Sequence, residues 1–235
     1  EVGRRFNVAV QSADMDSTKE SSLLLYDMAR GLVAERKLNP LDPKTDVTTS
    51  LLAVRVDGEG LPEDMIVGMI RQVLVVGIIA PTVMIGSICV HLSRHRALQD
   101  RLRAHPSLIP AAVDEFLRLY TPYRGFARTA VRDIAIGDRL IPAGEPIALV
   151  YASANRDEAV FEDAETFKLH RPNIKDSLHF GRGTHHCPGA ALARLELSVA
   201  LEEILAKTKG FEVDGEVVPT RMPEIGALHV PLRFE

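Results

Sequence analysis

Phe180-Gly181-Arg182-Gly183-Thr184-His185-His186-Cys187-Pro188-Gly189 is the most informative stretch of the chain. It sets a lone cysteine just ahead of PGAALARLELSVALEEILAKTKG (188–210), whose proline in the first turn and closing glycine predict a helix. Unpaired N–H groups at a helix start, together with the helix dipole, stabilise a negative atom, and a bound metal deprotonates a thiol outright. Gly181, Gly183 and Gly189 permit backbone conformations closed to other residues and allow close approach of a flat ligand, and Phe180 can pack beside the sulfur. Taken alone, these residues leave other readings open. Cys187 can be a small buried residue in a tight turn. His185, His186 and Cys187 suggest zinc, but three consecutive side chains do not readily converge on a tetrahedral ion and no second ligand cluster with the usual spacing is evident. A nucleophilic cysteine of a hydrolase is the third possibility, without a specific signature.

Working outward, SSLLLYDMARGLVAERKLN (21–39) has apolar residues at helical spacing and ends in the breaker run Asn39-Pro40-Leu41-Asp42-Pro43. A turn over Asp57 to Pro62 precedes a long helix with Glu63 and Asp64 in its first turn, running to about His95. Pro81 lies inside it, leaves the Gly77 carbonyl without its usual partner and predicts an opening or bend, with Thr82 one candidate partner. Val73 to Val90 is 18 residues without formal charge, at the lower edge of membrane-spanning length. Its Gly77, Pro81, Gly86 and Ser87, and the mixed charges flanking it, favour the central buried helix of an α-rich domain and no membrane contact. RALQDRLRAH and AAVDEFLRLY predict two further helices, the second stopping before Thr121-Pro122. FARTAVRDIAI and PIALVYAS alternate as strands of a small antiparallel sheet, residues 153–179 form a meander, and FEVDGEVVPT with ALHVPLRF predicts a C-terminal hairpin.

With 235 residues and 46% apolar content the chain can bury one large core or two small ones. Its 28 basic against 32 acidic residues, a net charge of -4, give no support to a nucleic-acid partner or a polybasic membrane contact and favour small-molecule chemistry. Two cysteines, Cys89 and Cys187, are too few for a secreted disulfide framework. A reducing cytoplasm is expected, and EVGRRFNVAV shows no export signal.

The cysteine loop resembles that of the cytochrome P-450 family of haem-thiolate monooxygenases, which reads F-x-x-G-x-x-x-C-x-G. Phe180, Gly183, Cys187 and Gly189 match every fixed position, a coincidence expected roughly once in a thousand chains of this size. Glu115 and Arg118 fit the family's E-x-x-R, and Arg171 falls where a meander arginine joins that pair, bracing the loop. The resemblance implies a truncated cytochrome P-450 fold, mainly α with a minor antiparallel β component. It spans the whole chain as a single domain over 1–235 and lacks the N-terminal part. The parts are helices in 1–120, a small sheet and meander in 121–179, the cysteine loop and its helix in 180–210, and the hairpin in 211–235.

What the resemblance implies chemically is haem b (iron protoporphyrin IX), with Cys187 as the metal ligand. Phe180, Gly181, Gly183, Gly189 and Gly77 would contact the cofactor, and His185 and Arg128 would meet its propionates. The substrate pocket would include Gly77, Ile78, Arg124, Gly125, Phe126 and the turn Met222 to Ala227, with Arg124 a contact for an anionic substrate. The activity implied is insertion of one oxygen atom into a small organic substrate, with electrons from a ferredoxin and its ferredoxin reductase docking where Arg182 lies. The long helix departs from the family's [AG]-G-x-[DE]-T-[TS]. Here Val76-Gly77-Ile78-Ile79-Ala80-Pro81 puts Ile79 in place of the acid and Ala80 in place of the alcohol. Thr82, two places late, is left as the candidate for catalytic proton delivery, or else an ordinary helix residue bonded to a backbone carbonyl. Use of peroxide, or an inert haem-binding remnant, are the alternatives.

Overall fold

Asp14 accepts the N–H groups of Asp16 and Ser17 at 3.1 and 3.2 Å and so starts α1, Met15–Leu38, whose inward positions Leu25, Ala29 and Val33 recur every four residues. The computed structural model describes Val8, Ala9, Ser12 and residues 14–235. The opening stretch read for an export signal therefore lies outside the described residues, but for Val8 and Ala9. The chain divides into two compact units, with the boundary between Ile79 and Ala80.

In the first unit, Asp46 caps α2, Val47–Ala53, by accepting the Thr49 N–H at 2.7 Å, and it also pairs with Arg36 at 3.3 Å. A two-residue hairpin follows, β1 (Arg55–Val56) with β2 (Glu59–Gly60), turning through Asp57 and Gly58 at φ of 52° and 87°. Neither α2 nor this hairpin is legible from apolar periodicity, because both are shorter than the pattern needs. α3, Glu63–Arg94, begins after Pro62, and its Ile66, Val67 and Ile70 pack with Ala29 and Val33 of α1 into a small core.

α3 continues through Pro81 as one helix, so the expected opening does not occur: a proline removes one backbone hydrogen bond, and the turns on either side persist. It is long and apolar enough to cross a membrane by length and composition, yet its Ile79, Val83, Met84, Ile88 and Leu92 are buried by protein.

The second unit is built on α4 (Arg96–Ala104), α5 (Ile109–Leu119) and, after the meander, α7 (Ala190–Lys207), with the short α6 (Tyr151–Ala154) between them in sequence. Its core joins Met84, Ile88 and Leu92 to Val113, Phe116 and Leu117 of α5 and to Leu197, Leu201 and Leu205 of α7. Gln99, with no exposed surface, both donates to the Phe211 carbonyl and accepts its N–H at 3.1 Å, stitching α4 to the first C-terminal strand.

The strands form antiparallel pairs. β3 (Phe126–Thr129) pairs with β6 (Pro146–Leu149), and β4 (Ile134–Ile136) with β5 (Arg139–Ile141). The stretch PIALVYAS, expected as one strand, ends at Leu149: the chain turns into α6, where the Ala154 N–H donates to the Val150 carbonyl at 3.0 Å. The C-terminal hairpin is two nested pairs, β7 (Phe211–Val213) with β10 (Leu232–Phe234) and β8 (Val218–Pro219) with β9 (Ala227–His229). The register shifts within the β8–β9 pair, between Val218 and Pro219, where proline cannot donate to the ladder.

Candidate cofactor site at Cys187

The loop before α7 is shaped by its own backbone. The Gly181 N–H donates to the Leu178 carbonyl at 2.8 Å, and Gly181 and Gly183 take φ of +68° and +72°, which side-chain-bearing residues rarely adopt. A 3-10 turn over Gly183–His185 follows, and the Cys187 N–H then returns to the Phe180 carbonyl at 2.8 Å, closing the loop. Cys187 is half-buried, and a Cβ at Gly189 would lie 3.8 Å from its Sγ, in ordinary van der Waals contact. Cys89 behaves differently: burial pushes its thiol up to about 11, the chemistry of a packing residue. Phe180 lies under the Arg194 guanidinium, 4.7 Å from its ring centre, and Arg194 is paired with Asp114 of α5 at 2.7 Å, so the loop's aromatic anchor is tied to the helix carrying Glu115.

Glu115, Arg118 and Arg171, all buried, meet as the sequence predicts. Arg118 grips the carboxylate with Nε and Nη2 at 2.9 and 2.8 Å, Arg171 reaches it from the meander at 3.0 Å, and the Lys168 N–H adds a further bond at 3.0 Å. The remaining guanidinium N–H groups are taken by carbonyls of the meander: Arg118 donates to Asn155 and Ala164 at 2.7 Å, Arg171 to Glu162 at 2.7 Å and to Thr166 at 2.9 Å. An irregular segment thus satisfies two buried cations with main-chain oxygens, and Phe161 underlies both guanidiniums.

Two features escaped the sequence reading. Asn155 is fully buried and bonds the residues just ahead of Phe180. His179 rests edge-on to Phe180 with ring centres 4.5 Å apart, its Nδ1 2.5 Å from Ser177 Oγ and its buried Nε2 without a hydrogen-bond partner among the described residues. Desolvation lowers its pKa to about 3, so the ring stays neutral. Next to it is a cavity of about 210 Å³, lined among others by Lys175, Arg182, His186 and Arg194. Neither residue belongs to a spacing pattern, and only their spatial partners reveal them.

The other expected site residues are distributed as follows. His185 is exposed in the 3-10 turn, and Arg128 is half-buried on β3 opposite Ile147, one of its N–H groups on the Ala127 carbonyl at 2.9 Å. Thr82 is exposed on α3, and Gly77 belongs to the first unit. The turn Met222 to Ala227 is drawn against both α3 and the chain before β3. A side chain at Gly226 would strike Val83 and Ser87, the Arg124 N–H donates to the Pro223 carbonyl at 3.1 Å, and Tyr123 bridges Glu224. Of the elements expected to floor a substrate pocket, the turn Met222 to Ala227 and the chain before β3 meet within the second unit, whereas Gly77 and Ile78 belong to the first. Gly125 is imposed by this packing, since a Cβ there would lie 1.8 Å from the Leu149 carbonyl oxygen.

The family model for cytochrome P450 matches residues 87–234. Among curated relatives, the chain is 35% identical over 191 residues to cyclomarin C epoxidase CymV of Salinispora arenicola (strain CNS-205), covering 81% of this chain and 47% of that one. It is 34% identical over 214 residues to the steroid C26-monooxygenase of Mycobacterium tuberculosis (strain CDC 1551 / Oshkosh), covering 90% and 56%. The solved structure of cytochrome P450 TbtJ1, ligand-free, superposes with a TM-score of 0.88 at 31% identity, over 100% of this chain and 62% of that one. The chain belongs to the cytochrome P450 family and has its fold, and it spans about half the length of the curated relatives it matches.

That family implies a haem cofactor, and the donor set here fits one. No group of three or more His, Cys, Asp or Glu side chains converges among the described residues, so a bare ion finds no ligand shell. A single accessible thiol flanked by glycines suits an iron whose other ligands come from a macrocycle.

Proposed function

We propose that this chain is the cysteine-bearing part of a monooxygenase that inserts one oxygen atom into a small organic substrate, with Cys187 bonded through sulfur to the iron of haem b. The observation that carries the reading is the closed loop at Cys187: its N–H held by the Phe180 carbonyl, two left-handed glycines, and α7 starting three residues later.

Held through the Cys187 sulfur, haem would supply dioxygen activation, with the thiolate favouring O–O cleavage. The chain's own residues set the conditions. Gly181, Gly183 and Gly189 would keep the loop flat enough for a macrocycle to lie against it, and Phe180 would shield the sulfur from water. His185 and Arg128 hold the propionates as hydrogen-bond and charge partners. Thr82 Oγ1 holds the proton that oxygen activation consumes. The turn Met222 to Ala227, with Arg124, Gly125 and Phe126, orients the substrate. Electrons come from a ferredoxin reduced by ferredoxin reductase, its acidic face docking at Arg182 and the basic cavity beside Phe180, in the cytoplasm. Titration with haemin, reduction and addition of carbon monoxide should give the red-shifted thiolate band in the parent and none in Cys187→Ala. An iron spectrum identical in the two proteins removes Cys187 as ligand.

One observation favours a second reading of the oxidant. Ile79, buried and apolar, stands where relatives of this pattern carry an acid, so proton delivery to dioxygen is weak and peroxide can replace dioxygen and electrons together. Turnover supported by hydrogen peroxide but not by ferredoxin with NAD(P)H supports peroxide use, and the opposite result supports the dioxygen route.

A further inference from the structure

We propose that Asn155 is the positioning residue of the Cys187 loop, the side chain through which the buried Glu115–Arg118–Arg171 cluster holds the loop in register. The proposal rests on the cofactor reading for its spectroscopic consequence, while its structural consequence is independent of haem.

Asn155 has no exposed surface, and every polar group it owns is engaged. Its Oδ1 accepts the Leu178 N–H at 2.6 Å and the Ser177 hydroxyl at 3.2 Å. Its Nδ2 donates to Thr121 Oγ1 at 2.8 Å, and Thr121 in turn donates to the end of α5 at the Leu117 carbonyl, 3.1 Å away. Its own carbonyl accepts from Arg118 Nη1 at 2.7 Å, and its N–H donates to Tyr151 at 2.9 Å. One residue therefore joins the helix carrying Glu115 to the entry of the cysteine loop.

The link to Cys187 is short. Leu178, whose N–H is on Asn155, uses its carbonyl to hold the Gly181 N–H, and Phe180 between them holds the Cys187 N–H. Residues 182–186 are exposed and supply little apolar anchoring, so the loop's geometry depends on such polar ties. The competing anchor is Phe180 beneath Arg194. A buried amide satisfied at both ends differs from that stack in one testable way. Removing it strands the Leu178 N–H, takes from Thr121 Oγ1 the N–H it accepts and loosens the loop locally, leaving α5 intact.

The test compares the 235-residue chain with its N155A, N155D and T121V variants. N155D keeps the acceptor for Leu178 and loses the donor to Thr121, and T121V removes the far tie together with the Thr121 bond to the Leu117 carbonyl while leaving Leu178 its acceptor, so it reports even where N155A fails to fold. In the haem-free chain, amide exchange at Leu178 and Cys187 should speed up roughly 10- to 100-fold in N155A, less in N155D and T121V, with α5 amides unchanged. Alkylation of Cys187 should accelerate in the same order, with buried Cys89 as internal reference. With haem and carbon monoxide, the same variants should lose part of the thiolate band in that order. Loop exchange that is unchanged, or that rises only in step with α5, overturns the proposal and assigns the loop to the Phe180 stack. A parent protein lacking the thiolate band counts against the cofactor reading alone, and the exchange data still judge Asn155.

Discussion

Glu115 shows how much a single residue can concentrate. A carboxylate with 1% exposure between two guanidiniums is tolerable only because Arg118, Arg171 and the Lys168 N–H occupy its oxygens. Arg171→Ala should lower the unfolding free energy by about 3–5 kcal/mol in urea titrations, because it leaves the acid short of a partner in a buried site. A loss below about 1 kcal/mol would mean that water reaches the carboxylate and the cluster is not dry. The meeting of these three residues was legible only through the family resemblance, which gave the E-x-x-R pair and the position of Arg171 their meaning, since an i,i+3 pair alone is common on helices. The carbonyls of Asn155, Ala164, Glu162 and Thr166 that complete the guanidinium shells were not, since a backbone oxygen carries no sequence signature.

Among the elements, the long helices follow directly from apolar spacing. Phe116 and Val113 of α5 and Leu197, Leu201 and Leu205 of α7 recur every three or four residues and form the core between them. The strands are a different case, because three- and four-residue pairs hold too little alternation to locate their ends. PIALVYAS illustrates this: Tyr151–Ala154 alternates like a strand yet closes as a helical turn. The packing of β3 on β6 is so close at Gly125 that Gly125→Ala should cost about 3 kcal/mol or more and pry the chain before Phe126 from Leu149. Thermal unfolding of that variant, together with loss of protection at the Phe126 and Leu149 amides, would reveal it, and an unchanged melting curve would show that the backbone shifts freely there.

For the whole molecule, the response to acid follows from histidines kept neutral inside it. His91, 7% exposed, is stacked on His95, meets Tyr120 through Nδ1 at 2.7 Å, and has its pKa lowered to about 4 by desolvation, with the neighbouring charges of His95 and Arg94 adding to the effect. Above pH 6.5 both folded and unfolded chains leave this ring neutral. As pH falls from 6.5 toward 4 only the unfolded chain takes up the proton, so stability drops by about 1.4 kcal/mol per unit, on the order of 3 kcal/mol in all. His91→Gln should flatten that part of the stability-pH curve measured by urea unfolding, and parallel curves for the two proteins would place the acid sensitivity elsewhere. His179, lowered to about 3 for the same reason, adds a second contribution of the same sign. The chain by itself determined its family, through Phe180, Gly183, Cys187 and Gly189, and its main helices, because both are written in local spacing that survives without neighbours. Only the tertiary structure decided what holds the cysteine loop, which residues of the meander quench the buried arginines, and how the C-terminal strands nest. Those depend on polar groups far apart in sequence coming within 3 Å of each other, as Asn155 does with Leu178, a distance that no periodicity encodes.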